Sequence, residues 1–201
     1  MPPVDPMLVL CLGNPGPRYL PTRHNVGFMV ADELARRAGR GFTPGRGEYW
    51  KSEIAVAGQE LTLVKPVTFM NNSGLAARQA LEWYGLNPEA LLVVLDDIAL
   101  PLGSLRVRAS GSDGGHNGLG SVIATLGTDR IARLRCGIRP EAPGARRPVQ
   151  AVPSLARNWT GRSSSGRRLS RLMGAWLRLV TTKSGADISA FPVFWYSSQS
   201  V

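Results

Sequence analysis

Apolar positions along the first two thirds of this chain fall into two alternating rhythms. Residues 8–12 are a short continuous apolar run that ends in Gly13-Asn14-Pro15-Gly16, which predicts a buried strand delivering a tight turn. Thr22 can then cap a helix whose apolar positions Val26, Met29, Val30 and Leu34 recur at helical spacing until Gly39 stops it. Residues 49–57 alternate, Gly58-Gln59 can turn, and 60–65 alternate again, so an antiparallel hairpin is expected. Asn72 or Ser73 caps a helix through Tyr84, closed by Gly85. Residues 91–95 are again a continuous apolar run, as expected of a central strand buried on both faces, and Asp96-Asp97 stand at its carboxyl end. A strand over 104–108, a glycine-rich stretch over 111–120, a helical segment over 122–126 and a last strand over 133–138 complete the pattern. Strands alternating with helices predict one α/β domain with a mixed, mostly parallel sheet flanked by helices.

Length and composition agree with that reading, since 201 residues at 43% hydrophobic content suit a single core. Charge adds a partner class. The formal net charge is +10, which favours a polyanion, because Arg and Lys on phosphates release condensed counterions. That excess is uneven: residues 1–138 carry 14 Lys+Arg against 12 Asp+Glu, whereas 139–201 carry 10 against 2. The last segment also holds 10 of the 16 serines. Two units are therefore read, a patterned core over 1–138 and an atypical basic Arg/Ser-rich segment over 139–201. Within the latter only 167–180 is periodic, with Leu169, Leu172, Met173, Trp176, Leu177 and Val180 on one helical face. Cys11 and Cys136 lie in separate strand-like runs without metal-ligand spacing, and read as reduced core thiols. The N-terminus lacks the features of a signal peptide, and no stretch approaches the roughly 20 apolar residues of a membrane span. The expectation is a soluble cytoplasmic protein with no metal and no cofactor.

His24 and His116 are the only histidines, so the search for a general base near neutral pH is short. Asn14, His24, Asp96 and Asn117 all lie where an open α/β sheet gathers ligands, beyond the carboxyl ends of strands. Helix capping or plain surface exposure would account for His24 equally well at this level. The nucleophile elbow G-x-S-x-G, the phosphate loop G-x-x-x-x-G-K-[ST] and the dinucleotide pattern G-x-G-x-x-G are absent. What remains is activation of water by a neutral imidazole, with Asp96 able to accept its N–H and stabilise the cation. The run Lys65-Pro66 to Phe69-Met70-Asn71-Asn72-Ser73-Gly74 sets an aromatic, a thioether and amides before a helix. Amides that both donate and accept suit an ester or peptide backbone, although a capped strand-to-helix connection explains the same residues.

Taken together, Gly13-Asn14-Pro15-Gly16 with Tyr19, Thr22-Arg23-His24-Asn25, the stretch from Lys65 to Gly74, Asp96-Asp97 and Gly114-Gly115-His116-Asn117-Gly118 resemble the bacterial-type peptidyl-tRNA hydrolase family, over about residues 7–138. The resemblance implies a monomeric, cofactor-free α/β esterase that frees tRNA from a peptide joined to its 3′ end. It implies that His24 activates water, Asp96 holds it in its basic form, and Asn14 tells blocked from unblocked aminoacyl-tRNA. Tyr19, Phe69, Asn71 and Asn117 would contact the aminoacyl-adenosine and peptide, with Met70 and His116 lining the crevice. Arg106, Arg108 and Arg135 stand where the family grips tRNA phosphate, and solvated strand-edge arginines are the plainer alternative.

The family pattern lapses after Ile138, where Arg139-Pro140 follow without the expected glycine and the helix, lid-like segment and final helix find no counterpart. A reading-frame change after about residue 138 would produce this shift, and true divergence is the alternative. Competing functions are a non-catalytic RNA-binding relative of the intron-splicing type, an inactive truncated homologue and a generic small-molecule esterase. Retention of Asn14, His24, Asn71, Asp96 and Asn117 favours the enzyme over a pure binder. The arginines count against a small ester.

Overall fold

Seven strands form one sheet in the computed structural model, which describes residues 7–56 and 59–139. They are β1 (Met7–Cys11), β2 (Thr43–Pro44), β3 (Tyr49–Val56), β4 (Gln59–Pro66), β5 (Leu91–Pro101), β6 (Leu105–Arg108) and β7 (Ala132–Arg139), in the order β2-β3-β4-β1-β5-β7-β6. The central strands β4, β1, β5 and β7 are parallel, and antiparallel partners close both margins, β3 and β2 on one side and β6 on the other. The predicted mixed α/β sheet is present, with its parallel strands at the centre. The expected helix over 167–180 and all of the basic segment beyond Arg139 lie outside the described residues.

Among the described residues three α-helices cover the sheet: α1 (Val26–Arg37), α2 (Ser73–Tyr84) and α3 (Asn117–Leu126). Because side chains alternate along a strand, β1 and β5 feed two separate cores. Met7, Val9, Cys11, Leu92 and Val94 pack with Val30, Ala31 and Leu34 of α1. Leu8, Leu10, Leu12, Val93 and Leu95 pack with Ala76, Ala77 and Ala80 of α2 and Leu119 and Val122 of α3. The same alternation sends Asp96 to the α1 side, one step beyond Val94.

β5 outlasts the expected end at Leu95. Its pairing with β1 stops at Cys11–Val94, whereas its pairing with β7 continues through Asp97–Gly137 to Pro101–Arg139 across an irregularity. Continued hydrogen bonding to β7 carries the strand past the two acids. Asp96 thus stands beside the vacated end of β1, at a topological switch point of the sheet.

Helix starts also differ from the sequence expectation. Thr22 makes no side-chain cap; its hydroxyl donates to the Tyr19 carbonyl (2.8 Å), and a single 3-10 turn, Arg23–Asn25, precedes α1. Likewise Ser73 donates to the Met70 carbonyl (2.8 Å), closing the 3-10 turn Met70–Asn72, and Asn72 gives no side-chain cap. In both places a hydroxyl closes the turn upstream of the helix. α3 begins at Asn117 rather than near Val122, because His116 caps it. Glycines in its first turn had masked the helical rhythm.

Candidate active site

The turn after β1 is fastened by a buried amide. Asn14 N–H donates to Asn25 Oδ1 (2.8 Å) and Asn25 Nδ2 donates back to the Asn14 carbonyl (2.9 Å), with Asn25 only 1% exposed. Asn25 ends the 3-10 turn that carries His24, so this pair fixes the Asn14 loop against the His24 turn. Met70 N–H donates to Asn14 Oδ1 (2.8 Å). With its oxygen taken, Asn14 has Nδ2 left to donate into the crevice. Asn25 was part of the quoted motif but had no role from sequence, since a two-sided amide latch exists only once the chain has folded back.

His24 Nδ1 lies 2.8 Å from Asp96 Oδ2. The carboxylate is buried, with 8% of its side chain exposed, while the imidazole is 62% exposed. A second imidazole completes the acid: His116 Nε2 lies 3.0 Å from Asp96 Oδ1. Leu119 N–H donates to His116 Nδ1 (3.2 Å) as the helix cap, so that nitrogen carries a lone pair. The proton of neutral His116 therefore resides on Nε2 and points at Asp96. Burial by itself would raise the Asp96 pKa, but the hydrogen bonds from His116 and His24 bring it below the ordinary value. An ionised Asp96 accepts Nδ1–H of His24, which leaves His24 Nε2 as a lone pair facing the open side.

Other expected residues take defined places. Tyr19 and Phe69 meet edge to face, with centroids 6.4 Å apart, and Phe69 is strongly exposed at the rim. Arg18 stacks over the Tyr19 ring and bonds its hydroxyl. Asn71 in the 3-10 turn and Asn117 at the first position of α3 are both exposed. Met70 packs on the first turn of α3; a Cβ on Gly118 would fall 2.5 Å from its sulfur. Asn14 is thus bonded to Met70 and, through Asn25, to the turn bearing His24, while Asp96 joins His24 to His116; Asn71 adjoins Met70 and Asn117 adjoins His116 in the chain.

The three arginines do not behave alike. Arg108 is exposed and, among the described residues, bonds only the neighbouring Val107 carbonyl. Arg106 is 38% exposed and donates to Asp97 Oδ2 (2.9 Å). Arg135, expected on a phosphate, is turned inward with 9% of its side chain exposed. It donates to Asp97 Oδ2 (3.4 Å) and the Asp113 carbonyl (2.8 Å). Two residues earlier on the same strand, Arg133 is 1% exposed and binds the carbonyls of Gly111, Ser112, Asp129 and Ile131. An inward pair of guanidiniums thereby holds the loop that delivers His116. Period-2 alternation puts Arg133 and Arg135 on one face of β7, and sequence alone does not say that a loop folds over them.

Burial raises the Cys136 thiol to about 12 and pushes Cys11 up as well, so both are neutral packing groups. Among the described residues no cluster of three or more His, Cys, Asp or Glu is placed to hold a metal ion, and no helix is long and apolar enough to cross a membrane.

The sequence profile of the peptidyl-tRNA hydrolase family matches residues 8–152. Peptidyl-tRNA hydrolase of Aquifex aeolicus is 50% identical over 141 residues, covering 69% of this chain and 72% of the relative. That of Chlorobaculum parvum is 48% identical over 132 residues, 66% of this chain and 70% of the relative. Among solved structures, peptidyl-tRNA hydrolase from Acinetobacter baumannii superposes with a TM-score of 0.64 at 25% identity, covering 96% of this chain and 91% of that one. Together with the acid and imidazole at the switch point, these likenesses establish that the chain belongs to the peptidyl-tRNA hydrolase family.

Proposed function

We propose that this enzyme hydrolyses the ester of peptidyl-tRNA with His24 as the general base. His24 Nε2 takes a proton from water, and the water oxygen bonds to the ester carbonyl carbon. Negative charge then develops on the carbonyl oxygen, where the amide donors of Asn14, Asn71 and Asn117 can meet it. When the tetrahedral adduct collapses, the C–O bond to the ribose breaks and the imidazolium returns its proton to the leaving oxygen. Free peptide carboxylate and tRNA result. Asp96 stays ionised throughout, holding the tautomer and stabilising the transient cation.

The observation that carries this reading is the 2.8 Å bond between an exposed imidazole and a buried carboxylate. A pure RNA binder has no use for such a pair. Arg106 and Arg108 on the exposed margin supply cations for the tRNA backbone, and the Tyr19–Phe69 pair offers an apolar wall for the aminoacyl-adenosine. Asn14 Nδ2 would donate to the carbonyl of a blocked α-amino group, where a free ammonium offers no acceptor. As in the family it resembles, the enzyme would act as a cytoplasmic monomer.

Incubation with N-blocked and with free aminoacyl-tRNA tests the reading, and only the first should be deacylated. His24→Ala should abolish turnover while retaining tRNA binding. Equal deacylation of both substrates, or full activity of the variant, would overturn it.

A further inference from the structure

Asp96 is held by two imidazoles, and the proposed reaction employs only one. His24 bonds Oδ2 and His116 bonds Oδ1, so each carboxylate oxygen has its own N–H donor. His116 cannot turn its ring over freely, because Nδ1 receives the Leu119 amide at the start of α3. It is also largely enclosed, with 12% of its side chain exposed, whereas a residue whose main task is to touch substrate would present its edge to the crevice. The loop that brings it in is itself fastened by Arg133 and Arg135 through the carbonyls of Gly111, Ser112 and Asp113.

We infer that His116 is a positioning residue, fixing the Asp96 carboxylate and through it the His24 tautomer, and tying both to the N-terminus of α3. This inference rests on the assignment of His24 as base. The chain of bonds runs Leu119 N–H, His116 Nδ1, His116 Nε2–H, Asp96 Oδ1, Asp96 Oδ2, His24 Nδ1–H. Each member has one donor and one acceptor arrangement that satisfies its neighbours. Protonating His116 would place an N–H against the Leu119 N–H and break the cap, so the neutral ring is the form that fits both bonds. The titratable groups around it are Asp96 on β5, His24 beyond it on the 3-10 turn and Asp113 on its own loop.

Two substitutions separate the two bonds of His116. An asparagine amide reaches where Nδ1 lies and caps helices well, but falls short of Asp96. A glutamine amide reaches where Nε2 lies and loses the cap. His116→Asn is expected to keep Tm near that of the parent while lowering kcat on the order of tenfold with little change in KM. His116→Gln is expected to retain most of kcat and lose a few degrees of Tm. Imidazole nitrogen and proton NMR supplies a readout independent of turnover. The parent should show His116 as the Nε2–H tautomer and a protected His24 Nδ1–H, and His116→Asn should lose that protection. A parental kcat and an unchanged His24 signal in His116→Asn would overturn the inference, as would variants that raise KM alone. Failure of the base assignment would show separately, as an active His24→Ala.

Discussion

Asn14 and Asn25 exchange a reciprocal pair of hydrogen bonds, backbone amide to side-chain oxygen at 2.8 Å and side-chain amide to backbone carbonyl at 2.9 Å. One buried side chain thereby fixes the distance between the Asn14 loop and the turn bearing the proposed base. Asn25→Ala strands a donor and an acceptor and should cost about 2–6 kcal/mol, since each unsatisfied buried group costs about 1–3. Asn25→Asp retains the acceptor but sets a carboxylate oxygen against the Asn14 carbonyl, and should be at least as damaging. Thermal unfolding measures the loss. Steady-state kinetics on N-blocked aminoacyl-tRNA should show kcat/KM falling in both variants.

Asp96 accepts from two imidazoles, so an amide in its place satisfies only one. His116 cannot yield, because Leu119 occupies its Nδ1. Asp96→Asn should therefore force His24 to give up its free Nε2 or lose its partner, reducing kcat on the order of 10³- to 10⁴-fold, as when a triad carboxylate becomes an amide. Binding of tRNA should change little.

Asp96 also predicts an acid limb of stability. Its folded pKa is depressed, by hydrogen bonds from His116 and His24 that outweigh burial. The unfolded chain therefore binds the proton more tightly. Its contribution is fully present above the unfolded value of about 4 and is lost as pH falls through the lower folded value. Denaturant midpoints measured from pH 6 down to pH 2 should fall less steeply in Asp96→Asn than in the parent.

Arg108 is exposed and Arg135 is enclosed, so their removal should read differently. Arg108→Ala should weaken tRNA binding and lower the slope of log affinity against log salt by about 0.7–0.9, the contribution of one released counterion. Arg135→Ala should instead lower Tm, since it frees Asp97 from one of its cations and releases the Asp113 carbonyl. Equal salt slopes in the Arg108 variant and the parent would remove Arg108 from the phosphate surface.

We propose that the chain beyond about residue 138 is read in a shifted frame, as the abrupt turn to Arg, Ser and Pro suggests. Resequencing the gene should reveal a frame change that restores a family-like C-terminus. An intact single frame with relatives sharing this tail would sink the idea.

Much of the sheet was legible in the chain, because apolar alternation and continuous apolar runs are local consequences of burial on one face or two. Strands β1, β3, β4 and β5 and helices α1 and α2 followed from that rhythm, and the motifs supplied the residues of the proposed base, acid and amides. Strand and helix ends were less legible: β5 runs past Asp96 because β7 continues to pair with it, and α3 starts at Asn117 because a histidine caps it. Those are long-range or unusual partners with no local signature. Residue types and order were enough to single out an imidazole just before a helix and a carboxylate at a strand end. Only the tertiary structure decided that Asp96 would be shared by two histidines, that Asn25 would latch Asn14, and that Arg135 would face inward. Each depends on segments far apart in the chain meeting at the vacated end of β1, where burial makes every unpaired polar atom costly.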